Sequence, residues 1–111
     1  MKYICAFFLS GVHISPDICR SKAPFNPILG ETFQARHPDG TEIYMEQTVH
    51  HPPTFNFLVN GPQKHFQLMG YGSIIAHLDG LNTIRGWRDG KTILKFDDGS
   101  MFTANNFKTR I

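Results

Sequence analysis

Five Asp-Gly or Asn-Gly dipeptides punctuate this chain: Asp39-Gly40, Asn60-Gly61, Asp79-Gly80, Asp89-Gly90 and Asp98-Gly99. No other feature constrains the fold as strongly, because such pairs accept the positive φ angles that tight hairpins require. Five of them within 111 residues predict an antiparallel meander from Gly30 onward.

The stretches between the turns carry the period of two that strands require. Ile43, Met45 and Val49 fall on one side, against Glu42, Tyr44, Glu46 and Thr48 on the other. Phe55, Phe57 and Val59 repeat the pattern, as do Phe66, Leu68, Ile74, Ala76 and Leu78. Gly70 and Gly72 interrupt that last run and predict a bend or bulge in a long strand. Ile84 to Arg88 and Thr92 to Phe96 flank Asp89-Gly90 as a hairpin, and Met101 to Ala104 supply one more short strand. The expectation is an all-β-dominated sheet of about six strands with one apolar face.

The N-terminal part reads differently. Lys2 followed by Tyr3 to Leu9 has the basic start and short apolar run of a secretory signal. However, no small-x-small cleavage site follows clearly, and Ile4, Phe7, Phe8 and Val12 recur at helical spacing. A short amphipathic helix is the preferred reading, and the run is too short to span a bilayer. His13 to Leu29 holds Pro16, Pro24 and Pro27 with little periodicity, so it reads as an extended connector.

Composition narrows the function classes. With 41% hydrophobic and 18% charged residues, the chain reads as one globular domain or part of one. Its net charge is only +2 and its Lys and Arg residues are scattered, which argues against a nucleic-acid partner. Cys5 and Cys19 form neither a disulfide framework nor a zinc ligand spacing, in keeping with reduced thiols in the cytosol.

Two segments carry the chemistry. In Glu46 to Pro53, a polar strand end runs into His50-His51-Pro52-Pro53. The prolines hold their preceding residues extended and donate no backbone hydrogen bond, so the ladder must break or become an edge there. Neighbouring residues of a regular strand point to opposite faces, so His50 and His51 can grip one ligand only from a bulged or twisted backbone. Protonated imidazoles donate from both ring nitrogens, which suits a phosphate monoester. Taken alone, the pair reads as two exposed or internally satisfied loop histidines. The second segment is Lys22 to Glu31, a loop stiffened by two prolines that can aim backbone N–H groups at an anion. By spacing alone it is an ordinary connector that Phe25 and Leu29 pin to the core.

Together, Pro24 to Phe33 and Glu46 to Pro53 resemble the paired signatures of the oxysterol-binding protein family, whose fingerprint reads Glu-Gln-Val-Ser-His-His-Pro-Pro. Thr48-Val49 replaces the Val-Ser of that fingerprint, and the other six positions match. Phe8 to His13 looks like the helix end that precedes the proline loop in the same family. The resemblance implies that residues 1–111 form the N-terminal portion of a longer ligand-binding domain. There, an antiparallel meander is part of a large incomplete β-barrel, preceded by a short N-terminal helix and a proline-rich loop on the lid side.

By the same resemblance, the ligand is a sterol or a phospholipid, exchanged between apposed membranes against phosphatidylinositol 4-phosphate. His50 and His51 would contact the 4-phosphate. Asn26 and Leu29 match loop positions that lie against the head group. The basic residue usual before the first proline is replaced by Ala23, which leaves Lys22 as the nearest cation. The implied protein is cytoplasmic, peripheral on endoplasmic reticulum and other organelle membranes, and binds no cofactor besides its lipid ligands. It is no enzyme: neither cysteine has a nearby His or acid in sequence, and no Gly-rich nucleophile elbow is visible.

Two other readings stay open at this stage. One is a small metal-dependent β-barrel enzyme using His50, His51 and a distant His65 or His77. The other is an interaction module whose sheet edges pair with another chain. A part-barrel with open edges is also expected to self-associate.

Overall fold

The computed structural model describes Phe25, residues 27–80 and residues 83–105, the side chain of Ile84 excepted. The expected N-terminal helix and most of the proline-rich loop, including Lys22 and Asn26, lie outside the described residues.

The described residues form one six-stranded sheet in sequential order. The strands are β1 (Thr32–Arg36), β2 (Glu42–His50), β3 (Pro53–Asn60), β4 (Phe66–Asp79), β5 (Thr83–Phe96) and β6 (Met101–Asn105). Every neighbouring pair is antiparallel. The architecture is therefore the expected all-β meander. A single 3-10 turn, Pro62–Lys64, interrupts the connection between β3 and β4.

Four of the five Gly dipeptides sit in connections between strands. Gly40, Gly80 and Gly99 hold φ of +93°, +76° and +85°, which the absence of a Cβ makes inexpensive. The fifth does not turn the chain. Asp89-Gly90 lies inside β5, where Asp89 pairs with Ser73 and Gly90 with Gly72. The expected hairpin between Ile84–Arg88 and Thr92–Phe96 is thus one continuous strand. The reason is cross-strand: β4 and β5 match from Phe66↔Phe96 to Asp79↔Thr83, and breaking that ladder midway would forfeit the pairs beyond it.

Nor do Gly70 and Gly72 produce a bulge, since the register of β4 runs unbroken against both neighbours. Gly70 serves a close approach instead. A Cβ there would meet the backbone carbonyl of Lys91 and stand 2.9 Å from Cζ of Phe57.

Residues directly opposite in the ladder share a face. One face carries Phe33, Met45, Phe55, Phe57, Val59, Leu68, Leu94 and Phe102 in register, and is the expected apolar face. The other is mixed, with Tyr44, Leu58, Met69 and Ile93 across its middle. Among the described residues no apolar side chain is fully buried; Phe33 stays 56% exposed. Beyond Ser73 and before Asp89, β4 and β5 pair only with each other among the described strands, so their hairpin projects as a two-stranded ribbon. His77 stacks on Trp87 there with centroids 5.0 Å apart, and Arg85 pairs with Asp79.

The segment before β1 corrects another expectation. Phe25 is fully solvent-exposed and Leu29 is 54% exposed, so neither pins the connector to a core. What shapes its end is a turn in which Glu31 N–H donates to the Ile28 carbonyl and Ile28 N–H donates to the Glu31 carboxylate, both at 3.1 Å. Gly30 takes the left-handed position of that turn, with φ +84°.

Candidate functional site

The site is built by an irregularity in β2. From Glu42↔Asn60 to Gln47↔Phe55 the pairing with β3 is regular, and it then resumes at Val49↔Thr54. Thr48 is the extra residue of a β-bulge. Its hydroxyl accepts a hydrogen bond of 2.6 Å from the Asn56 side-chain amide.

One added residue offsets the side-chain alternation by one. Val49, expected beside Ile43 and Met45, is turned to the face of Thr54 instead. His50, paired with Pro53, returns to the face shared by Gln47, Phe55 and Phe57. The bulge therefore sets a histidine at the end of the apolar face.

Gln47 is the residue that sequence reasoning missed. Its side chain is 1% exposed, the deepest among the described residues. Its Nε2 donates to Nδ1 of His50 at 3.1 Å. Its Oε1 is buried without a partner, an arrangement that costs about 1–3 kcal/mol when nothing offsets it. A residue three positions before His50 sits on the opposite face of a regular strand, so only a sequence sign of the bulge would have exposed the contact.

His51 and Pro52 make the turn into β3, and the His51–Pro52 peptide bond is cis. The ladder ends at His50↔Pro53, as the prolines predict. The two imidazoles stand with centroids 4.5 Å apart at 61°. Both histidines are solvent-exposed. The turn is held from behind by Thr54, whose hydroxyl donates to the Pro52 carbonyl at 3.1 Å and accepts from Ser73 at 2.7 Å. Two adjacent imidazoles on a braced turn can offer several N–H donors to one anion.

Of the other expected head-group residues, Leu29 lies in the turn before β1. Since Thr32 pairs with Glu46, that turn stands at the end of the sheet where β2 reaches His50. Lys22 and Asn26 are outside the described residues.

The histidines of the metal reading do not assemble. His65 Nδ1 donates to Asp97 at 2.7 Å and its Nε2 faces the Gln63 side-chain oxygen at 3.2 Å, while His77 is stacked on Trp87. Among the described residues no three His, Cys, Asp or Glu side chains gather as a ligand set.

An open groove of about 480 Å³ is lined by Thr32, Tyr44, Leu58, Met69, Tyr71 and Ile93 among others. By register these belong to the mixed face, opposite His50. The groove lies mainly on that face, apart from the histidine pair, although Met45, Phe57 and Gly70 of the other face also reach its lining.

A family model described as oxysterol-binding protein matches residues 1–111. Oxysterol-binding protein 9 of Dictyostelium discoideum is 33% identical over 100 residues, which cover 90% of this chain and 22% of the relative. Human oxysterol-binding protein-related protein 5 is 37% identical over 86% of the chain and 11% of its own length. Oxysterol-binding protein homolog 6 of Saccharomyces cerevisiae is 34% identical over 86% of the chain and 22% of its own length. The chain spans less than a quarter of each of these relatives.

Proposed function

The chain belongs to the oxysterol-binding protein family, and on that premise we propose that it is part of a lipid carrier that grips a phosphoinositide head group with His50 and His51. The lipid is a sterol or a phospholipid, exchanged against phosphatidylinositol 4-phosphate between membranes that the protein touches from the cytoplasmic side at contact sites. Lys22, Asn26 and Leu29 complete the head-group contacts. No bond is made or broken, and the lipids are the only ligands.

One observation carries the reading. The bulge at Thr48 turns His50 onto the face of Phe55 and Phe57, so a pair of anion-seeking rings adjoins an exposed apolar face. A phosphoinositide has the same two-part chemistry, a phosphate joined to acyl chains. Imidazolium rings hold the phosphate by charge-assisted hydrogen bonds, and the apolar face removes hydrocarbon from water.

The test is the double variant His50→Ala, His51→Ala. It should abolish binding to vesicles containing phosphatidylinositol 4-phosphate while leaving uptake of a fluorescent sterol largely intact. Equal loss of both ligands would assign the pair to folding rather than to the head group.

A further inference from the structure

We propose that Gln47 is a positioning residue for His50: it occupies Nδ1 from inside the sheet and so reserves Nε2 for the anionic ligand. The inference rests on the phosphate-binding reading of the histidine pair, but its structural half can be measured without any ligand.

The side chain is placed for this role. Gln47 is 1% exposed, and the bulge at Thr48 brings it onto the same face as His50 despite their separation by three positions. Its Nε2 donates to Nδ1 at 3.1 Å, so a neutral His50 carries its proton on Nε2. Nδ1 is thereby committed, and Nε2–H is the donor left for a ligand.

The orphaned Oε1 gives the contact a second state. Turning a primary amide by 180° about its last bond exchanges Oε1 and Nε2, and Oε1 can then accept from Nδ1–H of a protonated ring. That bond is charge-assisted, which favours the turned amide once the ring is cationic. A glutamine can thus hold Nδ1 in both protonation states, and the ring need not swing when it gains a proton. A carboxylate at this position could only accept, and a thioether would offer neither partner of normal strength.

The experiment uses the protein, its Gln47→Glu and Gln47→Met variants and a His50→Ala control. Long-range proton–nitrogen NMR spectra of the ligand-free proteins, taken where the ring is neutral, read the tautomer of His50. The wild type should carry the proton on Nε2, and Gln47→Glu should move it to Nδ1. An unchanged tautomer in Gln47→Glu would overturn the proposal. Vesicles of phosphatidylcholine containing phosphatidylinositol 4-phosphate then test the functional half. Gln47→Met should bind about three- to tenfold more weakly, and wild-type affinity in that variant would overturn the positioning role. Should Gln47→Met fail to fold, as amide dispersion would reveal, the Gln47→Glu tautomer still decides. If His50→Ala binds the vesicles like the wild type, the phosphate-binding reading fails and takes the reserved Nε2 with it, whereas the spectra still report the Gln47–His50 bond.

Discussion

Phe57 and Gly70 face each other across β3 and β4, and the ring tip of Phe57 stands 2.9 Å from where a Cβ on Gly70 would lie. The carbonyl of Lys91 on the following strand crowds the same point. A methyl group there meets rigid backbone on one side and an aromatic ring on the other. Gly70→Ala should therefore destabilise the sheet by about 1–3 kcal/mol, the usual penalty of forced overpacking. Urea unfolding followed by circular dichroism measures this, and an unshifted midpoint would refute the close approach.

The second prediction concerns association. Phe33 is 56% and Leu78 79% exposed, and β1 and β6 each lack a second partner among the described strands. Uncovered apolar surface and free strand edges favour pairing with another copy. The 111-residue chain made alone should sediment as oligomers whose size rises with concentration, and Phe33→Lys should shift it toward monomer. A compact monomer across the concentration range would contradict this.

The meander was legible because four of the five Gly dipeptides fall where the chain reverses, and local turn chemistry agrees there with the sheet. Asp89-Gly90 misled because the cost of that dipeptide inside a strand is outweighed by the pairs with β4 on both sides of it. The histidine pair was legible from residue type and from the prolines that end the ladder. Its surroundings were not. Strict alternation places Gln47 and Val49 with Met45 and leaves His50 on the other face, whereas the bulge keeps Gln47, moves Val49 away and brings His50 back. No run of residue types announces Thr48 as the extra residue; the shift in pairing between Gln47↔Phe55 and Val49↔Thr54 does.

Acid stability supplies the third prediction. Asp97 is hydrogen-bonded by His65 at 2.7 Å, which ties the β5–β6 turn to the loop before β4 and holds the Asp97 carboxyl below its ordinary value. A carboxyl with a depressed folded-state pKa contributes stability that is full above its unfolded value, near 3.8, and is lost as pH falls through the folded value. Both side chains are more than half exposed, so the contribution is small. Asp97→Asn should lower the unfolding midpoint slightly at neutral pH and leave it equal to wild type in strong acid. A difference that persists undiminished in acid would mean the pair is not what the substitution disturbs.

The last prediction removes the bulge itself. Thr48 has no partner on β3, and without it Gln47↔Phe55 would be followed directly by Val49↔Thr54 in regular alternation. The ladder loses nothing by this, since every other pair can persist; the hydrogen bond from Asn56 to Thr48 is the only side-chain link described that disappears. A lost exposed hydrogen bond costs about 0.5–1.5 kcal/mol, so a chain lacking Thr48 should still fold. Its histidines should keep their partners but lose the kink that aims them. Val49 would stay opposite Thr54 and His50 opposite Pro53, but the stretch from Glu42 to Gln47 would have to accept the strand's new twist without the kink that a bulge adds. Gln47 and His50 would then be two positions apart on one face, about 6.8 Å along the strand, so any change in binding comes from the lost kink and not from a change of face or partner. Loss of binding to vesicles containing phosphatidylinositol 4-phosphate, with the far-ultraviolet spectrum preserved, is the expected outcome. Undiminished binding by the folded deletion variant would show that the bulge does not aim the histidine pair.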